Sequence, residues 1–408
     1  MHANLAALFM PRNQSFYFFT KEDPDYQVKG SRDPLALQVL WQQQGKKLLP
    51  YLSTVSSNVH DFQVLCLAHY FYEREPDAQF ISFFLRFEQL MAYARYLSPV
   101  AKGGFNGIEA VRKRLSEKTR ISVSNTAEDN ILSNQRIYGI WGKYSRPFRD
   151  IGFLQQADFR EVFDDKINQT KESKNILAAV NKILHQRKSY FTEQEFGFCQ
   201  QLFVITKKER QFYRKNILQV KQPDSYQNSL FNYLNLHPHP DSLNLYSFIR
   251  SFKKTIPKED IHFHQTLDEI IATEQIISPV NHIFRYLQTK PIWEKTELLK
   301  DKYIDQCKYD SGYRFSPDNE ANRIKNNLAE TLQKNNWDLI LELIKKNEEV
   351  TEWRGGSPWI SVNKNLLEVH HAEGGFKNPD YDPKKNYSNG YFIDSYLRLF
   401  NQIMNHTN

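Results

Sequence analysis

The chain has 408 residues, enough for two or three domains at about 150 residues each. Apolar residues make up 40% and aromatic residues 14% of it, with 15 glycines, a composition that excludes a disordered or collagen-like chain. The net charge of +7 is concentrated: residues 102–221 carry 23 Lys and Arg against 13 Asp and Glu, while the remainder is slightly acidic.

The first residues, MHANLAALFMPRNQ, lack the basic start, continuous apolar core and small-residue cleavage site of a secretory signal. With three scattered cysteines (Cys66, Cys199, Cys307) and no CxxC spacing, this points to a cytoplasmic location. SFYFF at 15–19 reads as a short strand. Lys29 to Pro34 reads as a helix opening, with Asp33 as N-cap before Pro34 and with Arg32 and Asp33 placed either to pair with each other or to meet a ligand. The longest apolar stretch, Phe62 to Tyr72, is far short of the roughly 20 residues of a bilayer span, so no membrane association is expected. Residues 80–97 repeat apolar side chains at helical period (Phe80, Phe83, Phe84, Phe87, Leu90, Met91, Ala94), and the spacing predicts a core-facing helix.

Turn residues at Ser98-Pro99 and Gly103-Gly104 close this neutral region, and Gly103 to Gly107 reads as a loop and helix start. RISVS at 120–124 reads as a strand. In Asp129 to Leu154 the pattern predicts one helix that loosens at Gly139 and Gly142, then a short one capped by Ser145, with Arg146 and Arg149 in its first turn and its end at Gly152. Two helices joined at glycines, the second beginning with arginines, form a candidate helix-turn-helix. A helical stripe follows at Ile176, Leu177, Val180, Ile183 and Leu184. LFVITKKERQFYRKNI then mixes Lys207, Lys208, Arg210, Arg214 and Lys215 with Phe212 and Tyr213. Gln222 to Ser225 ends the basic stretch; His237 to Pro240 and Tyr309 to Pro317 are further breaks. Two more helices are expected around Leu328 and Ile340, separated at Asn335-Asn336. In the last sixty residues PWISVN and LLEVHH flank Lys364-Asn365 as a β-hairpin bounded by Gly355-Gly356 and Gly374-Gly375, the first of these a glycine turn bracketed by Trp353 and Trp359. A polar loop from Asn378 to Gly390 precedes a final helix, Tyr391 to Met404.

The expected architecture is mainly α: a multi-module helical protein with a candidate helix-turn-helix and a small C-terminal β-hairpin, its modules being 1–101, 102–221 and 222–408. No phosphate loop, dinucleotide fingerprint, nucleophile elbow, HExxH or EF-hand pattern occurs. No catalytic residue, metal ligand or cofactor is therefore assigned. His237 with His239, His262 with His264, and His370-His371 with Glu373 have metal-like spacings but are read as structural. Glu368 lacks the lysine two residues on that a restriction-type nuclease strand requires. The basic module points to DNA or RNA through Arg136, Lys143, Arg146, Arg149, Lys207, Lys208, Arg210, Arg214 and Lys215, since cations at helix surfaces meet phosphates and guanine edges. The expected function is a non-enzymatic nucleic-acid-associated subunit of a bacterial multiprotein machine, such as a restriction or phage-defence system, with protein partners. The alternatives are a metal-dependent nuclease or hydrolase whose ligands converge in the fold, and a protein-binding adaptor.

Overall fold

The computed structural model describes residues 33–404 apart from 74–78, 103, 222–224, 238–243, 372–375 and 377–379. It is 62% helical, with 18 helices and two small antiparallel sheets among the described residues, so the mainly α architecture with a small β element holds. In chain order the elements begin α1 (Gln38–Leu48), α2 (Val59–Tyr72), α3 (Phe80–Leu97), α4 (Ile108–Glu117), β1 (Ile121–Ser124), α5 (Gln135–Tyr138) and α6 (Ile140–Ile151). They continue with α7 (Phe159–Gln169), α8 (Ser173–His185), β2 (Lys188–Phe191), α9 (Glu193–Cys199), α10 (Lys207–Tyr213), α11 (Tyr226–Leu236), α12 (Leu245–Lys253) and α13 (Ile261–Leu287). The last are β3 (Ile292–Glu294), α14 (Lys295–Leu298), α15 (Lys302–Cys307), α16 (Glu320–Thr331), α17 (Asn336–Trp353), β4 (Ile360–Asn363), β5 (Leu366–Val369) and α18 (Ile393–Met404). The strand expected at 15–19 and residue Arg32 lie outside the described residues.

The chain divides into two compact units, each assembled from distant segments. The larger takes in Leu37–Val280, Gln306–Gln333 and Asp380–Asn408, and so draws on all three of the expected consecutive modules. At its centre, α2 buries side chains around its whole circumference, as a helix surrounded by others must. Helices α3, α6, α7 and α18 pack against it, and α3 in turn carries α4, α8 and α9. The expected strand at 120–124 is β1, paired antiparallel with β2, Ile121 opposite Phe191.

The smaller unit comprises the described parts of Met1–Ala36, Asn281–Asp305 and Lys334–Pro379. Its hairpin β4–β5 turns at Lys364-Asn365 as expected, and β3 adds a third strand to give the order β3-β5-β4. β3 was not evident from the sequence because three residues are too short to show alternation. The two tryptophans bracketing the glycine turn differ: Trp359 is buried, its backbone N–H donating to the Asn347 side-chain oxygen, whereas Trp353 is 81% exposed.

Helix starts account for the main departures. α1 begins at Gln38, not at Asp33, because Asp33 to Ala36 form a turn (Ala36 N–H to Asp33 carbonyl, 3.3 Å) and the Asp33 carbonyl also accepts from Arg354. α18 begins at Ile393, two residues later than expected. Tyr391 and Phe392 both take left-handed backbone (φ 48° and 64°), which costs about 1–3 kcal/mol each for side chains of this kind. Burial of both rings and the carboxylate of Glu274 hold them there. That carboxylate, itself fully buried, accepts from the Tyr391 hydroxyl (3.0 Å) and from the Asn389 backbone (3.1 Å).

Candidate nucleic-acid interface and the adjoining cavity

The segment expected to form a helix-turn-helix takes a different shape. α5 is a single turn, capped by Asn134, and α6 runs unbroken from Ile140 through Pro147 to Ile151. Ser145 is therefore mid-helix and Arg146 and Arg149 lie in the later turns, not at the N-terminus. The cause is long-range. Glu88 of α3 accepts the Ile140 N–H (2.6 Å) with one carboxylate oxygen and the Gln135 side-chain N–H (3.0 Å) with the other, which fixes the first turn of α6. Gly139 permits this approach, since a Cβ there would lie 2.6 Å from the Glu88 carboxylate. The expected C-terminus at Gly152 stands, with φ 74°.

With its N-terminus sealed, α6 presents its flank. Lys143, Arg146 and Arg149 recur at three-residue steps, each step turning about 60° around the axis, so the row winds from the half-buried Lys143 to the outward arginines. The side chains of Arg146 and Arg149 are 71% and 77% exposed and share one acidic neighbour, Asp150, at 3.4 and 3.8 Å. Arg136 is exposed on α5 beside Ile137 and Tyr138, which are 57% and 54% exposed.

The second basic stretch is spent on internal partners. Lys208 pairs with Glu161 (3.1 Å) and Asp165 (3.2 Å), and Lys215 with Asp158 (3.5 Å). Arg210 donates to the Ile403 carbonyl (2.7 Å) and Arg214 lies over the Phe231 ring. Lys207 is exposed at the first position of α10. Charge therefore nearly cancels on the α7–α10 face, while among the described residues the α5–α6 face holds four cations with Asp150 the one paired carboxylate.

Behind α6 lies a cavity of about 410 Å³, its wall including Asp61, Glu88, Arg95, Lys143, Tyr144 and Arg398. The sequence reading missed its acidic residues, although a charge inside an otherwise apolar helical run, as at Asp61 in VHDFQVL and Glu88 in FLRFEQLM, is a visible signal. Asp61 pairs with Arg95 (2.6 Å), both largely buried, and accepts from the Tyr144 hydroxyl, which in turn accepts the Asn58 N–H (3.0 Å). Arg95 also donates to the Ala101 carbonyl (3.1 Å). Burial pushes the Asp61 carboxyl up against the pull of Arg95 and Tyr144, and raises the Tyr144 phenol, with the Asp61 charge adding to it.

Burial also raises Glu88 to about 7, opposed by the Ile140 and Gln135 hydrogen bonds. A carboxyl with a folded-state pKa above its unfolded value stabilises fully below about 4.5 and loses that contribution as pH rises to about 7, about 3 kcal/mol in all. His69, which burial lowers to about 4, works in the opposite sense over the same range. The expected result is therefore a difference curve. Stability of wild type relative to Glu88→Gln, from urea unfolding, falls between pH 4.5 and 7; a flat difference would show that Glu88 stays ionised.

Among the described residues no three His, Cys, Asp or Glu side chains converge as a metal site. His370 bonds Ser361 (2.8 Å), His371 lies against Trp359, and His237 stacks on Tyr233; His239 and Glu373 lie outside the described residues. No helix among the described residues is long and apolar enough to cross a membrane. No protein-family model, curated protein or solved structure matches the chain.

Proposed function

We propose that this chain is a nucleic-acid-binding component that engages phosphates through the α5–α6 face. The observation that carries the reading is the row Lys143, Arg146 and Arg149 on the flank of α6, with Arg136 beside it and Asp150 the one carboxylate paired with it among the described residues. Clustered cations with so little local neutralisation set up a field that attracts a polyanion, and each phosphate contact releases counterions. Exposed Tyr138 and Ile137 supply surface on which an unstacked base can rest, which favours single strands as well as duplex. The late position of the arginines in α6 favours backbone contact over insertion of a helix N-terminus into the major groove.

The test is a binding titration of Arg146→Ala/Arg149→Ala against wild type on duplex DNA and on single-stranded RNA, with thermal unfolding in parallel. Both side chains are exposed, so stability is expected to change by no more than about 0.5 kcal/mol. Binding is expected to weaken similarly across sequences. Unchanged binding in a stably folded variant would overturn the assignment of this face.

A further inference from the structure

We propose that the cavity between α2, α3 and α6 binds a nucleoside phosphate, with Lys143 and Arg398 holding the phosphate and Tyr138 covering the base. Its volume of about 410 Å³ lies within the range of small-molecule sites, about 300–1,000 Å³.

The charges in its wall decide the sign of the ligand. The acidic side chains are already engaged: Asp61 by Arg95 and Tyr144, Glu88 by the Ile140 and Gln135 N–H groups. Arg95 is consumed in the same way, by Asp61 and the Ala101 carbonyl. Lys143 feels the charges of Asp61 and Glu88, and Arg398 that of Asp394, but neither cation has a carboxylate within ion-pair distance among the described residues. Arg398 is exposed on α18, with Asp394 one turn back, and Lys143 is half-buried at the inner end of the α6 row. A guanidinium fork and a mobile ammonium reaching one space is an arrangement that suits a phosphate group.

The rest of the wall suits the remainder of a nucleotide. Tyr138 is half exposed where it borders the cavity, leaving a ring face for stacking. Asn58 and Gln402 also line it, each anchored through its carbonyl oxygen to the backbone N–H of His60 and Val59, respectively, so their positions are set before a ligand arrives. The inference shares Lys143 and Tyr138 with the proposed function but does not rest on it, because Arg398 belongs to the cavity and Arg146 and Arg149 to the outer face.

The experiment is calorimetric titration of the full chain at fixed ionic strength with AMP, UMP, adenosine, inorganic phosphate and succinate. Lys143→Ala/Arg398→Ala, Tyr138→Ala and Arg146→Ala/Arg149→Ala are run beside wild type. AMP and UMP are expected to bind and adenosine is not. The Lys143/Arg398 variant is expected to lose about tenfold or more in affinity, as for a charge-assisted contact, while keeping a cooperative unfolding transition that shows it folded. Tyr138→Ala should weaken mononucleotides but not inorganic phosphate, and the Arg146/Arg149 variant should bind mononucleotides like wild type. Competition by a 5′-phosphorylated oligonucleotide, against none by its unphosphorylated form, would assign the site to a strand end. No competition by either would assign it to a free nucleotide. Succinate binding as tightly as AMP, undiminished AMP binding in the Lys143/Arg398 variant, or no nucleotide binding to folded protein would overturn the proposal. Loss of polynucleotide but not mononucleotide binding in the Arg146/Arg149 variant separates the two sites.

Discussion

Replacing Glu209 by alanine is expected to cost about 3–5 kcal/mol, the penalty of leaving a buried partner charge uncompensated. Glu209 and Lys166 are 0% and 1% exposed and 2.6 Å apart. The carboxylate accepts from four donors: Lys166, the Thr206 backbone N–H that completes a capping box on α10, the Gln63 amide at 2.9 Å and the Tyr213 hydroxyl at 3.1 Å. Lys166 has one further partner, the Val204 carbonyl at 2.7 Å. The ties join α2, α7 and α10, so the loss falls on the core of the larger unit. Glu209→Gln keeps the shape but not the charge and should cost nearly as much. Lys166→Met/Glu209→Leu should recover part of it, since no charge is stranded, but not all, because Gln63, Thr206 and Tyr213 still lose an acceptor. Urea unfolding of the four proteins reads this directly. A loss below about 1 kcal/mol for Glu209→Ala would mean that the ion pair contributes little.

The Asp61–Arg95 pair should behave asymmetrically. Asp61→Ala leaves a guanidinium that cannot shed its proton, 2% exposed, and is expected to cost about 3–5 kcal/mol. Arg95→Met leaves a carboxyl that can protonate and still bond the Tyr144 oxygen, so its penalty should be smaller and should shrink in acid. The sign follows from linkage. Without Arg95 the folded-state pKa of Asp61 rises further above its ordinary 3.8, and the variant loses stability as pH rises through that interval. Unfolding curves at pH 4 and pH 7 check it. Equal penalties for the two variants at both values would contradict the reading that burial dominates at Asp61.

The same two clusters show what sequence patterning can and cannot reveal. Helices α3, α8 and α17 are evident from their stripes, the break before α17 from Asn335-Asn336, and the β4–β5 hairpin from its polar turn, because each is encoded by neighbours in the chain. The start of α6 is not, because the group that sets it, Glu88, lies 52 residues away. Nor is the fate of Lys208, Arg210, Arg214 and Lys215, whose partners come from α7, α11 and α18 and from Asp158 just before α7. Net charge along the chain located a basic region; only folding shows which of its cations are neutralised. The cavity was beyond reach for the same reason, its wall being drawn from α2, α3, α6 and α18.

The central claim, that the α5–α6 face carries the phosphate contacts, is tested most directly by the salt dependence of binding. Arg136, Lys143, Arg146 and Arg149 are four cations, so the logarithm of the association constant plotted against that of salt concentration should have a slope of about −3.6 on duplex DNA and about −2.8 on a single strand. In Arg146→Ala/Arg149→Ala the slope should become shallower by about two. No binding at low salt, or a slope that the double variant leaves unchanged, would contradict it.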